Sequence, residues 1–318
     1  MDEAKDVMVR IMSGEFNDTQ IAGFLVALRA KGETASEIAG FAQAMREKMI
    51  KVPLGTDAID LCGTGGDAKG TFNISTIASF VVAGAGVPVA KHGNRSITSS
   101  CGSADLLAAL GVDIHLPPEK VAKAIEKVGL GFMFAPSLHP AMKHVMPARK
   151  ALGIRTIFNI LGPLTNPAGT NRQLLGIFDG TLTETKAKVL KKLGSREAML
   201  VHGEDGLDEL TTTSSSKVSH LLRTGVIKSS ILNPRSLGLP MATLEDLKGG
   251  TAEENATIAI DILQGESGPK RDVVVLNAAA GLVVGAAATD LKDGIQLAGE
   301  SIDSGRARKV LERLIEFK

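Results

Sequence analysis

The chain has 318 residues, of which 44% are hydrophobic and 22% charged, and its formal net charge at pH 7 is +1. That length implies one large domain with a satellite, or two domains, and the near-neutral balance argues against a nucleic-acid coat or a polybasic membrane patch. Two cysteines in so long a chain, Cys62 and Cys101, make no disulfide framework and suit a reducing cytoplasm.

In chain order, residues 1–50 read as helices only. The opening MDEAKDVMVRIM is acidic and lacks a long apolar run, so it does not read as a signal peptide. In NDTQIAGFLVALRAKG, Ile21, Phe24, Leu25 and Leu28 share one helical face, with Asn17 or Asp18 to cap the start and Gly32 to end it. TASE at Thr34–Glu37 is a capping box, and Ile38, Phe41 and Met45 form the stripe of the next helix. This is the pattern of a small helical bundle.

The period then changes. AIDLC (58–62), VPVAK (87–91), VDIHL (112–116), GFMFA (131–135), AMLVH (198–202) and DVVVL (272–276) are short apolar runs, several with β-branched residues, that read as strands. Helical patterns at 77–85, 105–110 and 118–128 separate several of them, and 183–194 and 306–317 are further amphipathic helices. The alternation predicts an α/β fold with a mostly parallel sheet flanked by helices. Residues 144–175 interrupt it with helical periodicity and then a Gly/Pro/Asn cluster. The expected partition is a small helical domain of 1–52 plus about 145–174, and a large α/β domain of 53–144 plus 175–318. TTTSSS (211–216) reads as a mobile surface loop. The longest apolar runs, 77–89 and 273–288, are too short or too broken for a membrane span.

Three segments carry chemistry. DLCGTGGDAKGTFNIST (60–76) is a strand end, a glycine-rich turn and a helix start, a geometry that offers backbone N–H groups to an anion. It misses the P-loop pattern at both residues flanking Lys69. Gly63, Gly65 and Ala68 match a dinucleotide fingerprint by letter, but the acid expected about twenty residues on is missing. An ordinary tight turn stays open as a reading of this stretch alone. Residues 68–104, however, contain no Asp or Glu, and their charged side chains are Lys69, Lys91 and Arg95, with His92 beside them. The strand ends at 62 and 91 both open into Gly/Ser/Thr/Asn loops, and parallel strands would line these up as one anion-binding rim. HGEDGLDEL (202–210) adds the adjacent carboxylates Asp208 and Glu209, suited to Mg²⁺ beside a phosphate site. MPARKALGIRT (146–156) supplies Arg149, Lys150 and Arg155, and a guanidinium can grip a carboxylate through two hydrogen bonds. The six histidines and two cysteines show no zinc spacing.

With these segments in hand, the chain resembles the anthranilate phosphoribosyltransferase family, on the nucleoside phosphorylase/phosphoribosyltransferase fold. CGTGGD, FNIST, KHGNRS, GSAD, RTIFNILGPLTNPA and HGEDGLDE occur in the family's order across essentially the whole chain. The resemblance implies a homodimer whose active site lies in the cleft between a small helical and a large α/β domain. The implied reaction joins anthranilate to 5-phosphoribosyl-1-diphosphate in tryptophan biosynthesis. The resemblance places Gly63, Gly66, Asp67, Thr71, Asn73, Ser75 and Thr76 against the sugar diphosphate. It adds Lys91, His92, Gly93, Asn94, Arg95, Ser96, Ser99 and Ser103 to the same site. It gives Mg²⁺ to Ser75, Asp208 and Glu209, and anthranilate to Gly63, Asn94 and Arg149, with His92 and His139 near the aromatic ring. Lys91 and Arg149 are then the charge stabiliser and the positioner, with no dedicated general base. Two departures stand out, Ala68 where the family commonly has Gly and Ser100 where it commonly has a cation. A nucleoside phosphorylase of this fold would use phosphate and no Mg²⁺. GTGGD, GPLTNPA and the Asp208–Glu209 pair favour the transferase.

Overall fold

The computed structural model describes residues 1–96 and 100–318. Three helices open the chain, α1 (Asp2–Met12), α2 (Asp18–Lys31) and α3 (Ala35–Lys48). The capping boxes read from sequence are present, Asn17 with Gln20 on α2 and Thr34 with Glu37 on α3, and Gly32 ends α2 at φ +82. Each box satisfies two N–H groups that a helix start leaves open.

The sheet region runs β1 (Ile59–Gly63), α4 (Ile74–Gly84), β2 (Val89–Gly93), α5 (Ser103–Ala109), α6 (Pro118–Val128), β3 (Leu130–Phe134) and the short α7 (Ala135–Leu138). Helices α8 (Met146–Leu152) and α9 (Phe158–Leu161) follow, then β4 (Arg172–Gly176), α10 (Thr183–Lys192), β5 (Glu197–Gly203), β6 (Ser216–Leu221) and β7 (Ile227–Leu232). Four helices close the chain, α11 (Ala252–Leu263), α12 (Pro269–Val284), α13 (Leu291–Asp303) and α14 (Arg306–Glu316). The seven strands form one sheet in the order β3-β2-β1-β4-β5-β6-β7, parallel from β3 to β5 and antiparallel at β6 and β7.

Strand alternation sends successive residues to opposite faces of the sheet. Ile59, Leu61, Leu174, Met199 and Val201 enter the core built with α4, α12 and α14. Cys62, Leu175, Ala198 and Leu200 enter a second core, shared with α1–α3, α10 and the Val145–Leu164 stretch. The amino-terminal helices therefore pack on the same sheet face as Cys62. No helix among the described residues is long and apolar enough to cross a membrane.

Four readings need correction. DVVVL lies inside α12, a helix with every residue from Val273 to Val284 buried. A short apolar run cannot separate a buried helix from a buried strand by period alone. VDIHL is not a strand: Val112 closes back on Leu107 (2.9 Å), and Asp113 accepts the His115 N–H (2.9 Å) in a local turn. Strand β4 occupies the centre of the sheet within a stretch read as helical with turns, because its polar Arg172 and Gln173 are buried and concealed the pattern. TTTSSS is not a surface loop: Thr211, Thr212 and Ser216 are buried, and the Thr211 and Thr213 hydroxyls donate to Asp205.

Candidate active site

The parallel strands end along one edge of the sheet, where α/β folds bind ligands. Gly63 ends β1 and Gly176 ends β4, and the two are register partners. Both leave room for Asp208. A Cβ on Gly63 would run into the Asp208 carboxylate, and one on Gly176 into the Asp208 backbone carbonyl.

Asp208 reaches this gap from the turn after β5, where the Gly65 N–H donates to its Oδ2 (2.7 Å). Side chains on both flanks hold that turn. Asp205 Oδ1 accepts the Leu207 N–H (3.0 Å), while Asn277 on α12 accepts the Leu210 N–H (3.1 Å) and donates to the Leu210 carbonyl (2.8 Å). Burial raises Asp208 above the usual carboxylate range, and the Asp67 charge adds to it. Glu209 is raised too, by burial first and then by Asp208, with Lys91 pulling the other way. Two adjacent buried carboxylates with a hydroxyl, Ser75, beside Glu209 are hard oxygen donors that a divalent cation would relieve. No group of three or more acidic, His or Cys ligands occurs among the described residues, so water and substrate oxygens would complete such a shell.

Lys91, near the end of β2, is 2% exposed. Its Nζ donates to the Leu61 carbonyl (2.6 Å) and to Ser75 Oγ (3.5 Å), which ties β2 to the start of α4. Burial lowers its pKa, and Asp60, Cys62 and Glu209 oppose that. Asp60, buried on β1, accepts the His92 N–H (3.3 Å) and the Asn166 amide (2.8 Å), which seats the start of the KHGNRS loop.

That loop turns sharply after β2. Gly93 leaves no room for a Cβ beside Ser103, and the Ser103 hydroxyl donates to the Asn94 carbonyl (3.2 Å). Asp105 accepts from Arg95 (2.8 Å), from the Ser96 N–H (3.0 Å) and from the Gly102 N–H (2.9 Å). Arg95 is therefore paired, and burial does not isolate it, since its side chain is 52% exposed. Asn94 is exposed, with Oδ1 on the Arg95 N–H (2.7 Å). Ser99 lies outside the described residues.

In the glycine-rich turn, Gly66 has φ +79 and its carbonyl accepts from Arg155. Asp67 Oδ1 accepts the Lys69 N–H (3.2 Å). Ala68 adopts φ +58, the left-handed region where a side chain is strained and Gly is favoured. Thr71 pairs with Lys248 in an isolated bridge. Thr76 is buried on the first turn of α4, 1% exposed. The Asn73 amide is spent internally, its Nδ2 on the Cys101 carbonyl (3.0 Å) and its Oδ1 on Asn255 (3.1 Å).

Arg149 on α8 is half-buried, 5.4 Å over the Phe158 ring and 3.9 Å from Met146 Sδ. Burial lowers its pKa, and among the described residues no carboxylate partners it, leaving a guanidinium open to an anionic ligand. His92 and His139 face each other with ring centroids 5.1 Å apart. Burial holds their pKa values at about 3 and about 4, and His92 Nε2 and both His139 ring nitrogens lack a hydrogen-bond partner among the described residues.

The structure thus joins Gly63 to Asp208, Lys91 to Ser75 and Glu209, Asn94 to Ser103, and His92 to His139. Among the described residues no hydrogen bond or ion pair links Arg149 to these groups. Sequence reasoning named Arg155 in its basic segment but gave it no place at the site; its guanidinium holds Gly66 and stacks 4.3 Å over Phe178, and its carbonyl accepts from Arg29 on α2 (2.6 Å). The basic segment that contains Arg155 was itself visible.

Comparison with known proteins follows the same outline. Residues 1–49 match the helical bundle domain of the glycosyl transferase family, and residues 55–308 match its a/b domain. The chain is 52% identical to an anthranilate phosphoribosyltransferase of Symbiobacterium thermophilum, over 99% of this chain and 92% of that one. The crystal structure of anthranilate phosphoribosyltransferase from Thermus thermophilus superposes with a TM-score of 0.95 at 47% identity, covering 99% and 94% of the two chains. The Saccharomyces cerevisiae enzyme in complex with PRPP and Mg gives 0.91 at 33% identity, covering 99% and 92%. A glycine-rich strand end against two buried carboxylates, a buried lysine beside them and this full-length likeness lead to one conclusion: the chain belongs to the anthranilate phosphoribosyltransferase family.

Proposed function

We propose that the protein transfers the 5-phosphoribosyl group of 5-phosphoribosyl-1-diphosphate (PRPP) to the amine of anthranilate, giving N-(5-phosphoribosyl)anthranilate and diphosphate in tryptophan biosynthesis. The observation that carries this reading is the grouping of Asp208, Glu209, Ser75 and Lys91 over a glycine-rich strand end. Hard oxygen donors beside a buried cation match a metal-bound diphosphate.

In the reaction, the amine lone pair forms the bond to the anomeric carbon, the bond to the diphosphate oxygen breaks, and the amine's proton passes to water or to the departing diphosphate. The residues present fit Mg²⁺: Asp208, Glu209 and Ser75 would hold it, and when bound it would supply charge neutralisation to the leaving diphosphate. Lys91 adds a positive charge to the same end of the site. Gly63, Gly66, Asp67, Thr71, Asn73, Thr76 and the 91–96 stretch with Ser103 shape the sugar-diphosphate wall in this reading. Asn73 and Thr76 do so from within, since their side chains are engaged or buried. Arg149 grips the anthranilate carboxylate, Asn94 and Gly63 complete the acceptor site, and His92 and His139 flank the ring as neutral imidazoles. Positioned reactants and fixed charge carry the catalysis, so no general base is required. The small helical unit of 1–52 plus about 145–174 closes on the α/β unit in this proposal and keeps water from the activated sugar.

A cytoplasmic homodimer belongs to the same proposal. An apolar groove of about 340 Å³, lined by Met1, Ala4, Val7, Phe24 and Phe41, offers α1–α3 a surface for a second copy. Light scattering tests the dimer.

The deciding assay follows anthranilate fluorescence with Mg²⁺ and PRPP. Signal loss that requires both is the expected result. No loss at saturating substrates, or loss with inorganic phosphate and a nucleoside instead, removes the assignment.

A further inference from the structure

The two loops that carry the proposed phosphate contacts are fastened to one short segment, residues 247–255. On the first loop, the Phe72 N–H donates to the Leu247 carbonyl (3.3 Å) and the Gly249 N–H to the Gly70 carbonyl (3.0 Å). On the second, the Ser100 hydroxyl donates to the Gly250 carbonyl (2.8 Å). Asn255 stands behind both. Its Oδ1 accepts the Gly250 N–H (2.8 Å), and its Nδ2 donates to Asn73 Oδ1 (3.1 Å). Asn73 in turn donates to the Cys101 carbonyl (3.0 Å), closing a ring of amides between the loops.

The approach is close enough to demand small residues. A Cβ on Gly249 would lie 2.6 Å from Phe72 Cα and 2.7 Å from Asn255 Oδ1, and one on Gly250 would meet the Glu254 carboxylate. The Thr251–Glu254 capping box starts α11 at this point and aims Asn255 back at the loops. Asn255 is 1% exposed, so it acts on a ligand only through its neighbours.

We propose that Asn255 is a positioning residue for the sugar-diphosphate site, setting the spacing of the two anion-binding loops through Asn73 and Gly250. The proposal rests on the reading that these loops hold PRPP. Donors aimed at a leaving group lose much of their effect when displaced by a fraction of a bond length. An amide buried between two loops is a rigid spacer, because leaving any of its partners unmade costs the full desolvation of that group. Ser100, the departure noted in the sequence, has a place in this scheme: its hydroxyl fastens the second loop to Gly250.

The test compares wild type, Asn255→Ala and Asn255→Asp by calorimetric titration with PRPP and Mg²⁺, by steady-state kinetics and by melting temperature. The aspartate retains an acceptor for the Gly250 N–H and loses the donor to Asn73, so it separates the two halves of the link. Both variants are expected to raise KM and Kd for PRPP by about tenfold or more, with KM for anthranilate within about twofold of wild type. A purely structural role would lower melting temperature or active fraction and leave these constants unmoved. PRPP constants unchanged in folded Asn255→Asp protein overturn the proposal, including where Asn255→Ala fails to fold. Wild-type protein that binds no PRPP removes the functional reading and the proposal together; wild-type binding with unchanged variants removes the proposal alone.

Discussion

Replacing Lys186 with methionine is expected to stabilise the protein, by an amount that shrinks as pH rises. Lys186 lies on α10 with 0% exposure, and its Nζ has no hydrogen-bond partner among the described residues. Burial pulls its pKa from 10.5 to about 7, and the neighbouring acidic groups Cys62, Asp208 and Asp179 offset this only in part. In the unfolded chain the amine keeps its ordinary value, so between about 7 and 10.5 the unfolded state holds a proton that the folded state does not. The lowered folded pKa is therefore a penalty, fully present below about pH 7 and lost as pH rises toward the unfolded value. Its size is roughly 5 kcal/mol at the low end and under about 1 kcal/mol near pH 10. Water entry and side-chain relaxation reduce the first figure, and about half of it would still dominate a single-site effect. Methionine keeps the unbranched stem and puts a thioether where the ammonium was. Urea unfolding of both proteins at about pH 7 and about pH 9.5 reads the difference. The gain should be several-fold larger at the lower pH. A pH-independent difference, or a destabilised variant at both, would refute the reasoning.

Arg149→Ala should raise KM for anthranilate by about tenfold or more while KM for PRPP stays within about twofold, because a charge-assisted grip on one substrate is lost. An equal rise in both constants would remove Arg149 from that role. Asp208→Asn combined with Glu209→Gln should abolish most activity together with its Mg²⁺ dependence; an unchanged magnesium titration would place the ion elsewhere. Ala68→Gly should raise unfolding free energy by up to about 1 kcal/mol, since φ +58 favours glycine. A lower urea midpoint would show that the turn tolerates the methyl group without strain.

The site was more legible in the sequence than the sheet was. Lys91 lies near the end of one apolar strand, Ser75 at the start of the helix that follows another, and Asp208 and Glu209 in the turn after a third, and strand ends in a parallel sheet converge. The acid-free run from 68 to 104 marked the rim before any geometry did. Strand β4 stayed hidden because its buried polar side chains find partners far away: Arg172 donates to the Val284 carbonyl (2.7 Å) and Gln173 to the Pro163 carbonyl (2.6 Å). The Val273–Leu276 run misled in the opposite sense, since α12 is apolar on all sides and shows no helical stripe. The strands of the antiparallel β6–β7 hairpin carry Ser and Lys where hydrophobic alternation would have revealed them. Asn255 could not be read at all. Its partner Asn73 lies 182 residues earlier, and no local pattern announces such a meeting.

Gly63 and Gly176 carry a consequence for how this protein tolerates change. Neither offers a functional group, yet Asp208 occupies the space that two missing side chains leave at adjoining strand ends. An exhaustive substitution scan should therefore find three intolerant positions where chemistry names one. Alanine at Gly63 would push on the Asp208 carboxylate, and alanine at Gly176 on the Asp208 backbone. The vulnerability of this site is thus written partly in atoms that are absent, and a variant library that exempts glycines would overlook the two residues that keep its carboxylate in place.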